Sequence, residues 1–146
     1  MKKIIQYTWT ELEIDTILLA ENVFDSKYKF QKIVAISRGG LFVAGMIAQF
    51  FEPCPIETIS VSSYQDKLRK KRIRLFTKID KISREKVLIC DDIVDSGRTI
   101  LFVKKFYPNS KVVVLHKNHN SRIQPDYFVR EVDKWVRYPW EKTWKK

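Results

Sequence analysis

The residues of this chain that could do chemistry gather in Asp91-Asp92-Ile93-Val94-Asp95-Ser96-Gly97-Arg98-Thr99. Three carboxylates lead into Ser96-Gly97, small residues that permit a tight turn with successive backbone N–H groups aimed at one point. A helix starting just beyond would add its N-terminal dipole to those donors, and the combination suits a phosphate. The plain alternative is an ordinary strand-to-helix loop with solvated acids. A second loop, Ser37-Arg38-Gly39-Gly40, offers unobstructed backbone donors, one fork-shaped cation and an immediate helix start, which suits a second anion. Taken alone, that tetrapeptide reads as turn chemistry.

Both loops need rigid elements behind them. Val87-Leu88-Ile89-Cys90 is an unbroken apolar run, the pattern of a strand covered on both faces in a parallel sheet, and Asp91 cannot prolong it. Ile100, Val103 and Phe106 then recur at helical spacing. Ile33 to Ile36 reads as the first core strand, and Leu41 to Ala48 as a helix apolar nearly all round, suited to burial against the sheet and another subunit. Pro53-Cys54-Pro55 ends that helix. Ile56 to Val61, Lys111 to Leu115 and Asp126 to Val129 read as further strands, the last being the final one, with Lys117 just past the end of its strand. Near the N-terminus, Thr10 and Glu13 form the pattern of a capping box for a helix starting near Glu11. Its Ile14, Ile17, Leu18 and Phe24 are expected to cover the sheet. The tail from Asp133 to Glu141 is aromatic and reads as irregular.

At 146 residues, 45% of them hydrophobic, the chain suffices for one domain with a real core and is too short for two. No apolar segment approaches the roughly 20 residues that span a bilayer. The opening Met1-Lys2-Lys3-Ile4-Ile5-Gln6-Tyr7 lacks the apolar region and cleavage site of a signal peptide, so a cytoplasmic location is expected. Cys54 and Cys90 form neither a disulfide framework nor a metal-spaced cluster and read as free thiols; His116 and His119 lack further ligands at metal spacing. The net charge of +11 favours polyanionic partners, whether nucleic acid, a membrane surface or a small polyphosphate. Its densest run, Lys67 to Arg74, has three readings: a solvated edge hairpin whose lysines discourage edge pairing, a nucleic-acid tract, or a lid over a bound anion.

The string from Val87 to Thr99 resembles the phosphoribosyl-pyrophosphate motif of the type I phosphoribosyltransferases, two adjacent acids and a D-[ST]-G-x-T loop after a hydrophobic strand. The resemblance implies an α/β fold, a mostly parallel central sheet flanked by helices, with a small hood from the C-terminal segment (roughly 117–146) and a mobile lid (roughly 62–75). It implies transfer of a 5-phosphoribosyl group to a nitrogen nucleophile with help from Mg²⁺. Carried over to this chain, Asp91 and Asp92 bind ribose hydroxyls and the metal, directly or through water. The loop of Asp95, Ser96, Gly97, Arg98 and Thr99 holds the 5-phosphate. Ser37, Arg38 and Gly39 form the pyrophosphate loop, whose Ser37–Arg38 peptide can adopt a cis form. Ser63 and Tyr64 lead the lid, as a Ser-Tyr pair does in the purine enzymes, where closure would exclude water from the reacting centre.

The acceptor is read from three further positions. Asp95 is the carboxylate that would take or stabilise the proton a purine sheds on attacking through N9. Adenine-specific relatives usually have an apolar residue there, so the acid points to a 6-oxopurine. Lys117 agrees, because an ammonium has only donors and suits the O6 carbonyl of guanine, xanthine or hypoxanthine. The tail, D-x-W-[IV]-x-x-P-W-[DE] from Asp133 to Glu141, is similar to the base-binding segment of bacterial xanthine-guanine phosphoribosyltransferases; Trp135 would stack on the base and the Val136 backbone would read its 2-position. Against this, Trp135 and Trp140 could merely cap the core. The chain departs from the family at Arg98, where many members have glycine, in its basic lid, and in a short charged C-terminus that argues against membrane association. Relatives form dimers or tetramers, so a homo-oligomer is implied. The competing function is a regulator of the same fold that binds nucleic acid through its basic surface; no RNA-binding motif accompanies the basic run, which disfavours that partner.

Overall fold

A computed structural model describes residues 4–142 of the chain. Met1 to Lys3 and positions 143–146, the end of the expected hood, lie outside the described residues. In chain order the elements are β1 (Ile4–Gln6), α1 (Trp9–Asp25), β2 (Lys32–Ser37), α2 (Gly39–Ala48), β3 (Ile56–Gln65), β4 (Lys71–Leu75), β5 (Val87–Val94), α3 (Arg98–Lys104), β6 (Ser110–Asn118), β7 (Tyr127–Val132) and β8 (Trp135–Arg137). Six strands form the main sheet in the order β4-β3-β2-β5-β6-β7, all parallel except β4. The fold is therefore the α/β fold with a mostly parallel sheet that the resemblance implies.

The apolar runs fill both faces of that sheet, as their lack of alternation requires. Ile33, Ala35, Leu88, Cys90, Val113 and Leu115 pack toward α1 and α2. Val34, Ile36, Val87, Ile89, Val112 and Val114 pack toward α3. Three sequence expectations are corrected at this level. The capping box of α1 is Thr8 with Glu11, not Thr10 with Glu13: the Glu11 amide donates to Thr8 Oγ1 at 3.2 Å and the Thr8 amide donates to Glu11 Oε2 at 2.8 Å. The face of α1 turned to the core is Leu12, Thr16, Leu19 and Val23, whereas Ile14, Ile17, Leu18 and Phe24 are exposed. Helical spacing fits either stripe, and the buried one also takes in the small Ala20. Asp91 does prolong β5, because β6 runs beside it as far as Asn118 and supplies backbone partners to Asp91, Ile93 and Val94.

The aromatic tail is also more ordered than its sequence suggests. Its Trp135-Val136-Arg137 forms β8 and pairs in parallel with β1, a second small sheet at the end of the main one. Tyr7 Oη donates to Asp15 at 2.8 Å, and Tyr7 packs edge-on against His116 and Tyr138. The Tyr138 hydroxyl has one proton, which it donates to the Asp92 carbonyl at 3.2 Å. His116 Nδ1, 2.8 Å from that hydroxyl, is then the donor, and its buried Nε2 is left as a bare lone pair without a partner. Burial first, then the charge of Arg130, pushes the His116 pKa down to about 4. The unfolded chain binds a proton at His116 below about pH 6.5, whereas the folded chain does so only below about pH 4. Stability contributed by neutral His116 is therefore complete above that window and is lost as pH falls through it. Urea unfolding at pH 7 and pH 4.5 should show the wild type losing on the order of 2 kcal/mol more than His116→Asn; parallel losses in the two proteins would refute the assignment.

Candidate active site

Strands β2 and β5 are neighbours, yet the chain leaves β2 for β3 on one side and β5 for β6 on the other. At such a switch the loops beyond the two carboxyl ends diverge and open a crevice. Ser37 ends β2 on one side of it, and Asp91 and Asp92 lie on β5 on the other. The Ser37–Arg38 peptide is cis. Arg38 is the exposed N-cap of α2 and makes no side-chain capping bond. The glycines that follow set how closely α2 approaches β5. A Cβ on Gly39 would lie 2.0 Å from Asp92 Oδ2, and one on Gly40 would lie 2.2 Å from the Cys90 carbonyl oxygen.

The acid pair is half-buried and internally oriented. Asp91 Oδ1 accepts from the Asp92 amide at 2.9 Å, and Asp92 Oδ1 accepts from the Ile93 amide at 2.8 Å. Burial pushes both carboxyls above the ordinary range, and the adjacent Asp92 charge adds to the shift at Asp91. Oxygen donors held this way fit a hard divalent cation such as Mg²⁺. Among the described residues no group of three ligating side chains surrounds them, so much of the shell of such an ion would come from water and ligand oxygens.

Beyond β5, Asp95 and Ser96 are exposed and Gly97 turns the chain at φ 85° into α3. A side chain is barred there twice, by that left-handed φ and by Ile123, whose Cγ1 would lie 2.7 Å from a Cβ. Thr99 sits in the first turn of α3. Arg98 faces elsewhere: its Nη2 donates to the Lys71 carbonyl at 2.6 Å, tying the turn after β5 to the tip end of the β3–β4 hairpin, where Lys71 pairs with Gln65. That hairpin carries the basic run. Ser63 and Tyr64 lie within β3, opposite Ile73 and Arg72, and both are exposed. Asp66 organises the tip by accepting from the Leu68 and Lys70 amides and from Arg72 Nε.

A cavity of about 400 Å³ opens beside this loop, walled by Ile93, Asp95, Asn118, Trp135, Val136 and Tyr138. A broader hollow of about 940 Å³ adjoins it toward Arg38, Gly39 and Asp92, and Trp135 borders both. The two tail tryptophans differ in kind. Trp140 is stacked between Phe42 and Tyr138, with ring centroids 4.4 and 4.8 Å away, and serves the core. Trp135 is 62% exposed and turns its ring to the cavities, while Val136 beside it is buried in the β1–β8 pair.

Lys117 departs from its expected placement. It lies inside β6, not past its end, and its Nζ is 2.8 Å from Glu131 Oε2 on β7, directly across the ladder. Glu131 in turn meets His119 Nδ1 at 2.6 Å, and its carboxyl is held below the ordinary range by Lys117 first and His119 next. Lys117 does not line the cavity. The residue beside it, Asn118, does, and its Nδ2 donates to Asp95 Oδ1 at 2.9 Å. Asn118 and Glu131 escaped the sequence reading because each acts across a strand pairing. Tyr138, also missed, lay within the tail pattern that could have pointed to it.

Comparison with known proteins places this arrangement in a family. The family described as phosphoribosyl transferase domain matches residues 7–146. A xanthine-guanine phosphoribosyltransferase of Desulfotalea psychrophila is 34% identical over 142 residues, covering 96% of this chain and 88% of the relative. One of the same description from Nitratidesulfovibrio vulgaris is 31% identical, covering 96% and 86%. In fold, the chain matches the crystal structure of a purine phosphoribosyltransferase from Pyrococcus horikoshii with a TM-score of 0.84 at 24% identity, over 98% of this chain and 97% of that one.

The glycines of α2 yield a paired test. Gly40→Ala forces a methyl against a backbone carbonyl and should lower stability by roughly 1–3 kcal/mol. Gly45→Ala, with nothing within 4 Å of the added Cβ, should raise it by roughly 0.5–1 kcal/mol. Urea midpoints read both; equal shifts would refute the close approach at Gly40.

Proposed function

The chain belongs to the phosphoribosyltransferase family, and on that premise we propose that it transfers the 5-phosphoribosyl group of phosphoribosyl pyrophosphate to N9 of a 6-oxopurine, guanine, xanthine or hypoxanthine. The C1–pyrophosphate bond breaks, the N9–C1 bond forms, and the purine proton leaves. The observation that carries this reading is the cavity with the Asp95 carboxylate on one wall and the exposed Trp135 ring on another, adjoining the crevice of Ser37, Asp91 and Asp92. A flat base fits between an aromatic face and a single acceptor, and the crevice next to it suits a ribose carrying two anionic groups.

Each residue then has a part. Backbone N–H groups of Ser96, Gly97, Arg98 and Thr99, with the Thr99 hydroxyl, bind the 5-phosphate. Ser37, Arg38 and Gly39 receive the pyrophosphate, over which the hairpin led by Ser63 and Tyr64 closes as a lid. Asp91 and Asp92 hold the ribose hydroxyls. The same two carboxylates would hold Mg²⁺, directly or through water, and the ion when bound would supply positive charge beside the pyrophosphate. Asp95 accepts the purine N7 hydrogen bond or proton, and the Val136 backbone reads the 2-position. Lys117 keeps one of its three donors on Glu131 and reaches O6 with another by swinging toward the seated base. A cytoplasmic location and a dimer or tetramer accompany this reading; a hood running from about residue 117 would have to include β7 of the main sheet along with β8. The regulator alternative needs neither Asp95 nor an aromatic base cavity, and both are present.

Incubation with Mg²⁺, phosphoribosyl pyrophosphate and each of guanine, xanthine, hypoxanthine, adenine and orotate should give nucleotide with 6-oxopurines; none from any of them would defeat the reading. Asp95→Asn should lower kcat by ~10²-fold or more while the KM for phosphoribosyl pyrophosphate stays within about twofold. Trp135→Ala should raise the KM for the purine by ~10–100-fold, the scale of losing roughly 1–3 kcal/mol of stacking. An unchanged purine KM would return Trp135 to the core-capping role.

A further inference from the structure

We infer that Asn118 is a positioning residue for the transfer step, its side-chain amide fixing the Asp95 carboxylate toward the purine cavity; this rests on the base-facing role of Asp95 given above. The amide has only one orientation that satisfies its surroundings. Its Oδ1 accepts from the Asn120 amide at 2.8 Å, so the NH₂ end is the one that faces Asp95 Oδ1 at 2.9 Å. Among the described residues this is the hydrogen bond that the Asp95 side chain makes. Asp95 is exposed on a loop, where a short carboxylate otherwise samples several χ1 wells. Asn118 stands on firmer ground: it is paired with Val132 at the end of β6, and the His119 amide donates to the Val132 carbonyl at 2.8 Å.

The same connector touches the loop a second time. Ile123 packs under Gly97 so closely that a Cβ there would lie 2.7 Å from it. Ser121 holds Ile123 in place, its amide donating to the Asn118 carbonyl at 3.0 Å and its hydroxyl donating to the Ile123 carbonyl at 3.0 Å. The β6–β7 connector thus presses on the phosphate-binding turn through Ile123 and aims the carboxylate two residues earlier through Asn118. A carboxylate fixed in this way meets the purine without first being ordered by it, which is where positioning residues exert their effect on rate.

A turn-forming role alone makes a different prediction. Asn118→Asp keeps the Oδ1 acceptor for the Asn120 amide and the side-chain shape, but it deletes the donor and sets a like charge against Asp95. Asn118→Ala deletes both. Steady-state kinetics with guanine should show kcat down by ~10-fold for Asn118→Ala and by ~100-fold for Asn118→Asp, with the phosphoribosyl pyrophosphate KM within about twofold in each. A turn role predicts the reverse order, Asn118→Asp close to wild type. Asn118→Asp at wild-type kcat, Asn118→Ala at wild-type kcat, or a loss shared equally with the phosphoribosyl pyrophosphate KM each overturns the inference. In an Asp95→Asn background the Asn118→Asp change should lose most of its effect, and full additivity overturns it as well. Should Asp95→Asn itself leave kcat unchanged, the base-facing role of Asp95 fails; should Asp95→Asn lower kcat while Asn118→Asp does not, the Asn118 inference alone fails.

Discussion

The first turn of α2 lies against the carboxyl end of β5 with no room for a side chain between them. Gly39 faces the Asp92 carboxylate and Gly40 faces the Cys90 carbonyl at distances that only hydrogen can occupy. Much of the site follows from that contact. It brings the backbone donors of the Ser37–Gly39 loop beside the acid pair, so that an anion bound by one and a cation or sugar bound by the other are neighbours. It also places Phe42, one turn along α2, under the Trp140 ring. The aromatic tail is thereby packed onto the same helix that limits the crevice.

A second tie joins the tail to the acids by hydrogen bonds. His116 on β6, Tyr138 after β8 and the Asp92 carbonyl on β5 form one chain of donors and acceptors with a defined direction. Desolvation keeps the imidazole neutral, and the single hydroxyl proton of Tyr138 then leaves no freedom in how the chain is wired. Trp135 and Val136 lie just before Tyr138, so these walls of the cavity beside Asp95 are tied to the strand of Asp91 and Asp92. Residues from three distant stretches of sequence are thus joined beside the two cavities.

How far sequence carried depends on how local each feature is. Strands β2, β5 and β6 were legible because burial on both faces leaves an unbroken apolar run. The acid pair and the turn at Gly97 were legible because one contiguous stretch holds them. The extension of β5 through Asp91 was not, since it depends on β6 reaching beside it, and neither was the β1–β8 pairing, which joins the two ends of the chain. In α1 two apolar stripes compete, and choosing between them requires the sheet. The same limit governs the site. Asp95 and Trp135 could be named from their motifs, whereas the Asn118–Asp95 and Lys117–Glu131 contacts arise only through cross-strand geometry.

The Cys90 carbonyl that Gly40 accommodates belongs to a residue whose thiol is wholly enclosed in the sheet. Enclosure drives that thiol well above its ordinary pKa, with the neighbouring Asp91 adding to the shift, and Cys54 is raised by burial too. Oxidants and electrophiles attack the thiolate, and here the thiolate is suppressed at both positions. The strand that bears the two acids therefore carries its one thiol in an enclosed, protonated form.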